Sequence, residues 1–83
     1  MNKNKIEYLE ISKAKVAKKR NAVISKCSKG GYTIAQQLET EEDGKTISVF
    51  LKGAIHVEDR KGLLALRDAI NFVLNNEDVD WDE

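Results

Sequence analysis

The sequence predicts an α+β fold, in which an antiparallel meander of three to four strands carries a long C-terminal helix on one face. Two observations support this prediction. Between residues 21 and 57, apolar residues recur with a period of two, interrupted by the turn signals Gly30-Gly31 and Asp43-Gly44. After residue 59 the period becomes that of a helix. A chain of 83 residues is expected to form a single domain.

Predicted strands occupy residues 21–27, 32–40, 46–52 and 54–57, the last being a short fourth strand or a continuation of the third beyond Gly53. One face of this sheet is expected to point inward, towards the helix. Its residues are Tyr32, Ile34, Leu38, Ile47, Val49 and Leu51. The other face is half polar and is either a binding platform or ordinary solvent-exposed surface. Its residues are Val23, Ser25, Cys27, Thr33, Gln37, Ser48 and Phe50.

The C-terminal helix is predicted from about residue 60 to residue 74. Asp59 is its expected N-cap, and Asn75-Asn76 are expected to end it. Its apolar stripe is predicted to form the core or a dimer contact, and consists of Leu63, Leu66, Ile70 and Val73.

The N-terminal segment is more ambiguous. Ile6, Leu9, Lys13 and Val16 lie on one helical face, which favours an amphipathic helix over residues 5–19, although residues 6–8 can equally open a strand. We therefore divide the chain into a basic N-terminal segment (1–20), a ββββα core (21–76) and an acidic tail (77–83). The tail, EDVDWDE, has three readings: a competitor of nucleic acid for the basic segment, a docking motif built on Val79 and Trp81, or a solubilising end.

Charge is distributed unevenly along a chain that is neutral overall. Residues 1–30 contain nine lysines and arginines against two glutamates, a net charge of +7, and residues 31–83 contain five against twelve acidic residues, a net charge of −7. Lysine density favours sequence-independent contact with phosphates. The expected phosphate contacts are Lys13, Lys15, Lys18, Lys19, Arg20, Lys26 and Lys29. Tyr32 and Phe50 are the expected stacking residues.

Other chemistry receives little support from the sequence. His56 is the only histidine and Cys27 the only cysteine, so an enzyme would depend on a cluster of His56, Glu58 and Cys27. We therefore expect no enzyme activity, metal or cofactor. With no apolar run of membrane-spanning length and no signal peptide, we expect a cytoplasmic protein without membrane contact, in the lysine- and asparagine-rich style of small bacterial or phage proteins.

The segments SKCSKGGYTIAQQLE and KTISVFLKGAIHVEDRKGLLALRDAI resemble the single-stranded-DNA-binding domain of the positive cofactor four family of transcriptional coactivators. The resemblance covers about residues 22–74. It rests on Lys29-Gly30 between two strands and on the step from Lys52 to Ile55 before the helix. It implies a homodimer that binds single-stranded nucleic acid, with Lys26 and Lys29 as the positions carried over and the helix as the dimer contact. The family's basic and aromatic residues on the second strand are replaced here by Gln36, Gln37 and Leu38.

The sequence therefore predicts a small, dimeric, nucleic-acid-binding protein. Its basic surface would contact single-stranded DNA or RNA without sequence preference. The alternative is a protein-interaction module, such as a small phage-like inhibitor or adaptor of a host protein, whose charge asymmetry would steer association.

Overall fold

A computed structural model describes residues 5–76 of the chain. It contains five strands and one helix: β1 (Tyr8–Ala17), β2 (Arg20–Cys27), β3 (Tyr32–Glu42), β4 (Lys45–Phe50), β5 (Ile55–Val57) and α1 (Arg60–Asn75). The strands form one antiparallel sheet in the order β1-β2-β3-β4, and β5 also pairs with β3. This architecture confirms the predicted α+β meander with a C-terminal helix.

The predicted N-terminal helix is wrong, because Tyr8–Ala17 form the edge strand β1. Two irregularities in its pairing with β2, between Glu10 and Ser12 and between Lys15 and Ala17, explain the error. Each bulge adds a residue and reverses the alternation of faces along the strand. A strand interrupted in this way shows spacings of three, which imitate a helix. Residues 8–17 are therefore part of the sheet, as its edge strand.

The hairpin between β3 and β4 has the geometry that its sequence predicts. Asp43 (φ 54°) and Gly44 (φ 77°) both have positive φ, as a two-residue type I′ turn requires. The opposite end of β3 is connected to β2 through Gly30 (φ 104°) and Gly31 (φ 83°). Both turn predictions are confirmed.

β4 and β5 lie one after the other along the same edge of β3. Residues 37–42 of β3 pair with β4, and residues 32–34 pair with β5. Gly53, with φ of 98°, lies in the bend between them. The predicted strand beyond Gly53 is thus a separate, short strand.

Helix α1 begins where the sequence predicts. Asp59 is the N-cap, and its Oδ1 accepts a hydrogen bond of 3.2 Å from the backbone N–H of Gly62. At the other end, the side-chain amide of Asn76 donates to the carbonyl of Phe72 at 2.8 Å. Gly62 allows the first turn to approach β5 closely, because a Cβ at this position would lie 2.6 Å from Cγ1 of Val57.

The helix lies on one side of the sheet, which we call the helix face; the opposite side is the open face. Val57 is buried on the helix face, but the remaining buried residues of the described chain belong to the open face. These are Asn21, Val23, Ser25, Cys27 and Gln37. The helix lies on the other side of the sheet, so these residues are buried without cover from α1. The expectation that Ile47, Val49 and Leu51 point into a core on the helix side is wrong. Ile47 and Val49 are exposed on the helix face, and Leu51 lines a cleft on the open face.

The acidic tail (77–83) lies outside the described residues. Within residues 5–76, no helix combines the length and apolar character that crossing a membrane requires.

Candidate nucleic-acid interface

Two exposed aromatic side chains, Tyr8 and Phe50, lie on the open face. Tyr8 of β1 is opposite Cys27, and Phe50 of β4 is opposite Gln37, so the register places both on the open face. Tyr8 is 58% exposed and Phe50 is 60% exposed. Apolar rings with this degree of exposure are available for contact with a ligand.

The two aromatic residues line the same shallow cleft, which has a volume of about 300 Å³. We call it the aromatic cleft; its lining is Tyr8, Ser25, Thr33, Ala35, Phe50, Leu51 and Ala54. The residues between the two aromatics are small, which leaves a recess with hydroxyl groups and an apolar wall. A concave surface that is mainly apolar with a few polar groups is typical of ligand sites.

Lys13 and Lys15 lie on the same face as Tyr8, further along β1. Lys13 is opposite Val23, and Lys15 is opposite Asn21. In a strand without a bulge, alternate residues point to the same side, so Lys13 would lie on the face of Leu9. The bulge after Glu10 adds one residue, so that Tyr8, Glu10, Lys13 and Lys15 all belong to the open face.

A polar network joins β1, β2 and β3 beside these lysines. The ammonium nitrogen of Lys15 lies 3.6 Å from Oε1 of Glu39. The side-chain amide of Asn21 donates to Oε2 of Glu39 at 3.0 Å. The hydrogen bond from Asn21, together with the positive charges of Lys15 and Lys13, lowers the pKa of Glu39 below its usual value of 4.5. The Glu39 carboxylate is thus already the partner of Lys15 on this face.

Gln37 lies between Asn21 and Phe50 in the register of the open face. It is buried, and its Oε1 accepts no hydrogen bond among the described residues. Buried side-chain oxygens usually have a partner. Gln37 is thus a buried residue of the open face whose side-chain oxygen receives no hydrogen bond from the described residues.

Carboxylates are also present on the open face. Glu10 is opposite Ser25, Glu41 is opposite Thr46, and Glu39 is opposite Ser48. The face by itself is therefore not strongly positive. Its positive end is the region of Lys13 and Lys15, which continues into Lys18 and Lys19 in the turn between β1 and β2.

The structure does not bring all the predicted phosphate contacts together. Lys26 is opposite Leu9 and Tyr32 on the helix face, and Arg20 is on that face too, where it donates to Oε1 of Gln36 at 3.1 Å. Lys29 lies in the turn between β2 and β3, at the end of β2 away from Lys18 and Lys19. The basic residues are therefore spread over two faces and two ends of the sheet.

The predicted stacking pair of Tyr32 and Phe50 is also divided. Tyr32 is half-buried on the helix face, whereas Phe50 is exposed on the open face. The aromatic residue that accompanies Phe50 is Tyr8, which the sequence analysis did not select. The alternative interpretation of residues 6–8 as the start of a strand would have placed Tyr8 in the sheet.

The residues considered for catalysis lie on and next to the open face. His56 of β5 is opposite Thr33, Cys27 is buried at the end of β2, and Glu58 is exposed between β5 and α1. Within residues 5–76, no three side chains of the types that bind metals are grouped so as to hold an ion.

The chain matches no known family model, and neither its sequence nor its structure has a significant match among curated proteins or solved structures.

Proposed function

We propose that this protein binds single-stranded nucleic acid through its open face, without sequence preference. The observation that carries the proposal is that Tyr8 and Phe50 line one cleft and share a face with Lys13 and Lys15. Aromatic side chains and cations on one surface supply the two interactions that such binding needs, base stacking and phosphate neutralisation.

Stacking explains why the proposed ligand is single-stranded. Every base has an aromatic face, so a ring such as Phe50 binds any base and provides affinity without reading sequence. In a duplex these faces are occupied by neighbouring bases. Stacking of a base on Tyr8 or on Phe50 therefore requires a strand whose bases are free to turn outward.

Phosphate contact would come from the lysines of the hairpin between β1 and β2. Lys13 and Lys15 lie on the same face of the sheet as the cleft, and Lys18 and Lys19 extend the cationic region at the turn. Lys13 has no ion-pair partner among the described residues, whereas Lys15 forms an ion pair with Glu39. Lysine contacts phosphate as a point charge and does not select bases, which is consistent with sequence-independent binding.

The described residues carry thirteen lysines and arginines against nine acidic residues, a net charge of +4. The neutrality of the whole chain results from the five carboxylates of residues 77–83. The part of the chain that forms the sheet is thus attracted to a polyanion at long range, although its open face also contains carboxylates.

We propose a homodimer as the species that binds.

The proposal is tested by titrating labelled single-stranded and duplex oligonucleotides with the full chain and following fluorescence anisotropy. Measurements at about 50 and about 200 mM salt separate lysine contacts from stacking, since each neutralised phosphate on a single strand contributes a slope of about −0.7 in log K against log salt. We expect preference for the single strand and a slope that corresponds to two to four lysine contacts.

Equal affinity for both oligonucleotides would contradict the stacking component. Absence of binding to either one at low salt would exclude nucleic acid as the ligand. In that case, nuclease-resistant capture of one protein would support the alternative function, a protein-interaction module.

A further inference from the structure

An open apolar groove lies between α1 and the helix face of the sheet. Its volume is about 700 Å³. Branched apolar side chains form most of its lining: Ile11, Ile24 and Ile34 on the sheet, and Leu63, Leu66 and Ile70 on the helix. Among the described elements, α1 comes close only to β5, so the groove stays open above β1 and β2. Protein interiors are packed to the density of organic crystals, so an apolar space of this size normally has an occupant.

The apolar surface of the groove continues onto the edge strand β1. Leu9 is 69% exposed and Ile11 is 55% exposed. Leu9 is opposite Lys26, which places it on the helix face, and Ile11 lines the groove. Further along the same face, Ala14 is opposite Ala22. Exposed apolar side chains that continue from a groove mark a surface for interaction, and small side chains beside them let a partner pack close to the strands.

The helix face of the sheet has room for two helices. Its four strand positions, at a spacing of about 4.8 Å, give a width of about 19 Å. A helix with its side chains is about 10 Å across. The described chain supplies one helix, α1, so a second helix above β1 and β2 would complete the layer. A strand added at the edge of β1 would only extend the sheet, and it would leave the groove open.

The charges beside β1 and β2 favour an acidic partner. Arg20 lies on the helix face where β2 begins, next to the two lysines of the turn between β1 and β2. At the other end of β2, Lys26 lies on the same face and shares a shallow recess with Glu7. The one carboxylate within β1 and β2 is that of Glu10, on the open face. The turn end of this surface is therefore cationic, and the Lys26 end is nearly balanced.

We infer that the groove binds an amphipathic helix of another protein. The apolar stripe of that helix faces Ile11, Ile24 and the leucines of α1, and its polar side carries acidic residues near the turn between β1 and β2. Insertion of an amphipathic helix into an apolar groove is a common mode of peptide recognition. Acidic residues beside Arg20 are attracted at the rim of the contact without being buried.

The probes for this inference are three labelled peptides of 16 residues, the length of α1. The first has a stripe of leucines and a polar side of glutamates, and the second has lysines in place of the glutamates. The third has the composition of the first with the stripe interrupted. Each is cross-linked on its polar side so that it is helical in solution. Fluorescence anisotropy follows titration with the full chain, and we expect the first peptide to bind about tenfold more tightly than the other two.

Two matched pairs of substitutions locate the binding surface. Ile11 and Ile47 are both exposed isoleucines of edge strands, but only Ile11 lines the groove. Ile11→Glu should weaken binding of the first peptide by about tenfold or more, because the bound helix would bury the new carboxylate. Ile47→Glu should change it by no more than about twofold. Circular dichroism checks that both variants are folded.

The second pair tests the charge preference. Arg20→Glu should weaken binding of the first peptide by about three- to tenfold, because it puts a negative charge beside the acidic side of the helix. Lys52 is exposed in the bend between β4 and β5, so Lys52→Glu is the control for the change in net charge and should bind like the unmodified chain.

Failure of the unmodified chain to bind the first peptide would overturn the inference, and so would equal effects within either pair. Equal binding of the first two peptides would contradict the acidic partner. Sedimentation of the chain alone tests a second copy as the occupant: a dimer dissociated by Ile11→Glu but not by Ile47→Glu would overturn the inference.

This inference is independent of the proposed nucleic-acid function. The groove is on the helix face, and the aromatic cleft is on the open face. An excess of single-stranded oligonucleotide should therefore leave the first peptide bound, and the Ile11→Glu variant should bind the oligonucleotide like the unmodified chain. Displacement of the peptide by the oligonucleotide would contradict separate sites.

Discussion

Glu39 is the residue that links the structure of the open face to its proposed ligand. It accepts a hydrogen bond from Asn21 and pairs with Lys15, and thereby connects three strands. A solvent-accessible pair of this kind contributes little to stability. Its larger effect would be on binding, since a phosphate must compete with the Glu39 carboxylate for Lys15.

Glu39→Gln is expected to increase affinity for single-stranded nucleic acid by about two- to fivefold, because it releases Lys15 at little cost in stability. The glutamine still accepts from Asn21 and keeps the shape of the side chain. Glu41→Gln is the matched control, because Glu41 lies on the same strand and face and has no ion pair among the described residues. Anisotropy titrations at low salt measure both variants. An affinity for Glu39→Gln no higher than that of Glu41→Gln would contradict this role.

At the scale of single elements, the predictable parts of the sheet were those with regular alternation. β2, β3 and the turns around them followed from a period of two between glycine-containing turns, and α1 followed from its stripe and from Asp59. β1 was not predictable in this way, because its two bulges remove the alternation on which the recognition of a strand depends. β1 is a strand because it forms hydrogen bonds with β2, and the sequence of residues 8–17 alone does not indicate this pairing.

The turn between β2 and β3 shows how an element depends on its neighbour. A Cβ on Gly31 would lie 2.7 Å from the carbonyl oxygen of Val57 in β5, whereas a Cβ on Gly30 would meet nothing within 4 Å. Both glycines have positive φ, so substitution strains the backbone at either position. Only at Gly31 is there a collision with β5 as well.

Gly30→Ala is therefore expected to lower the free energy of unfolding by about 1–2 kcal/mol, the cost of the backbone conformation alone. Gly31→Ala should lower it by about 2–4 kcal/mol, because the collision with β5 adds to that cost. Urea unfolding followed by circular dichroism measures the difference. Equal destabilisation by the two substitutions would show that β5 does not pack against this turn as described.

At the scale of the whole molecule, the sheet presents two surfaces of different character. The open face combines buried polar groups with exposed aromatic residues, and the helix face carries isoleucines that line an apolar groove beside α1. The sequence predicted which residues alternate between these faces along β2 and β3. It predicted neither that the open face would bury more residues nor that Tyr8 would join Phe50, because both depend on how the strands pair, above all on the register of β1.

The central claim is that the aromatic cleft of the open face holds the bases of a single strand. The most direct test is the affinity of the Phe50→Ala and Tyr8→Ala variants for a short single-stranded oligonucleotide, with Phe72→Ala as the control, since Phe72 is equally exposed but belongs to α1. Because stacking on an aromatic residue contributes about 1–3 kcal/mol per base, we expect each cleft variant to lose about 5- to 100-fold in affinity. Phe72→Ala should bind like the unmodified chain. Unchanged affinity in both cleft variants, or an equal loss in Phe72→Ala, would contradict the claim.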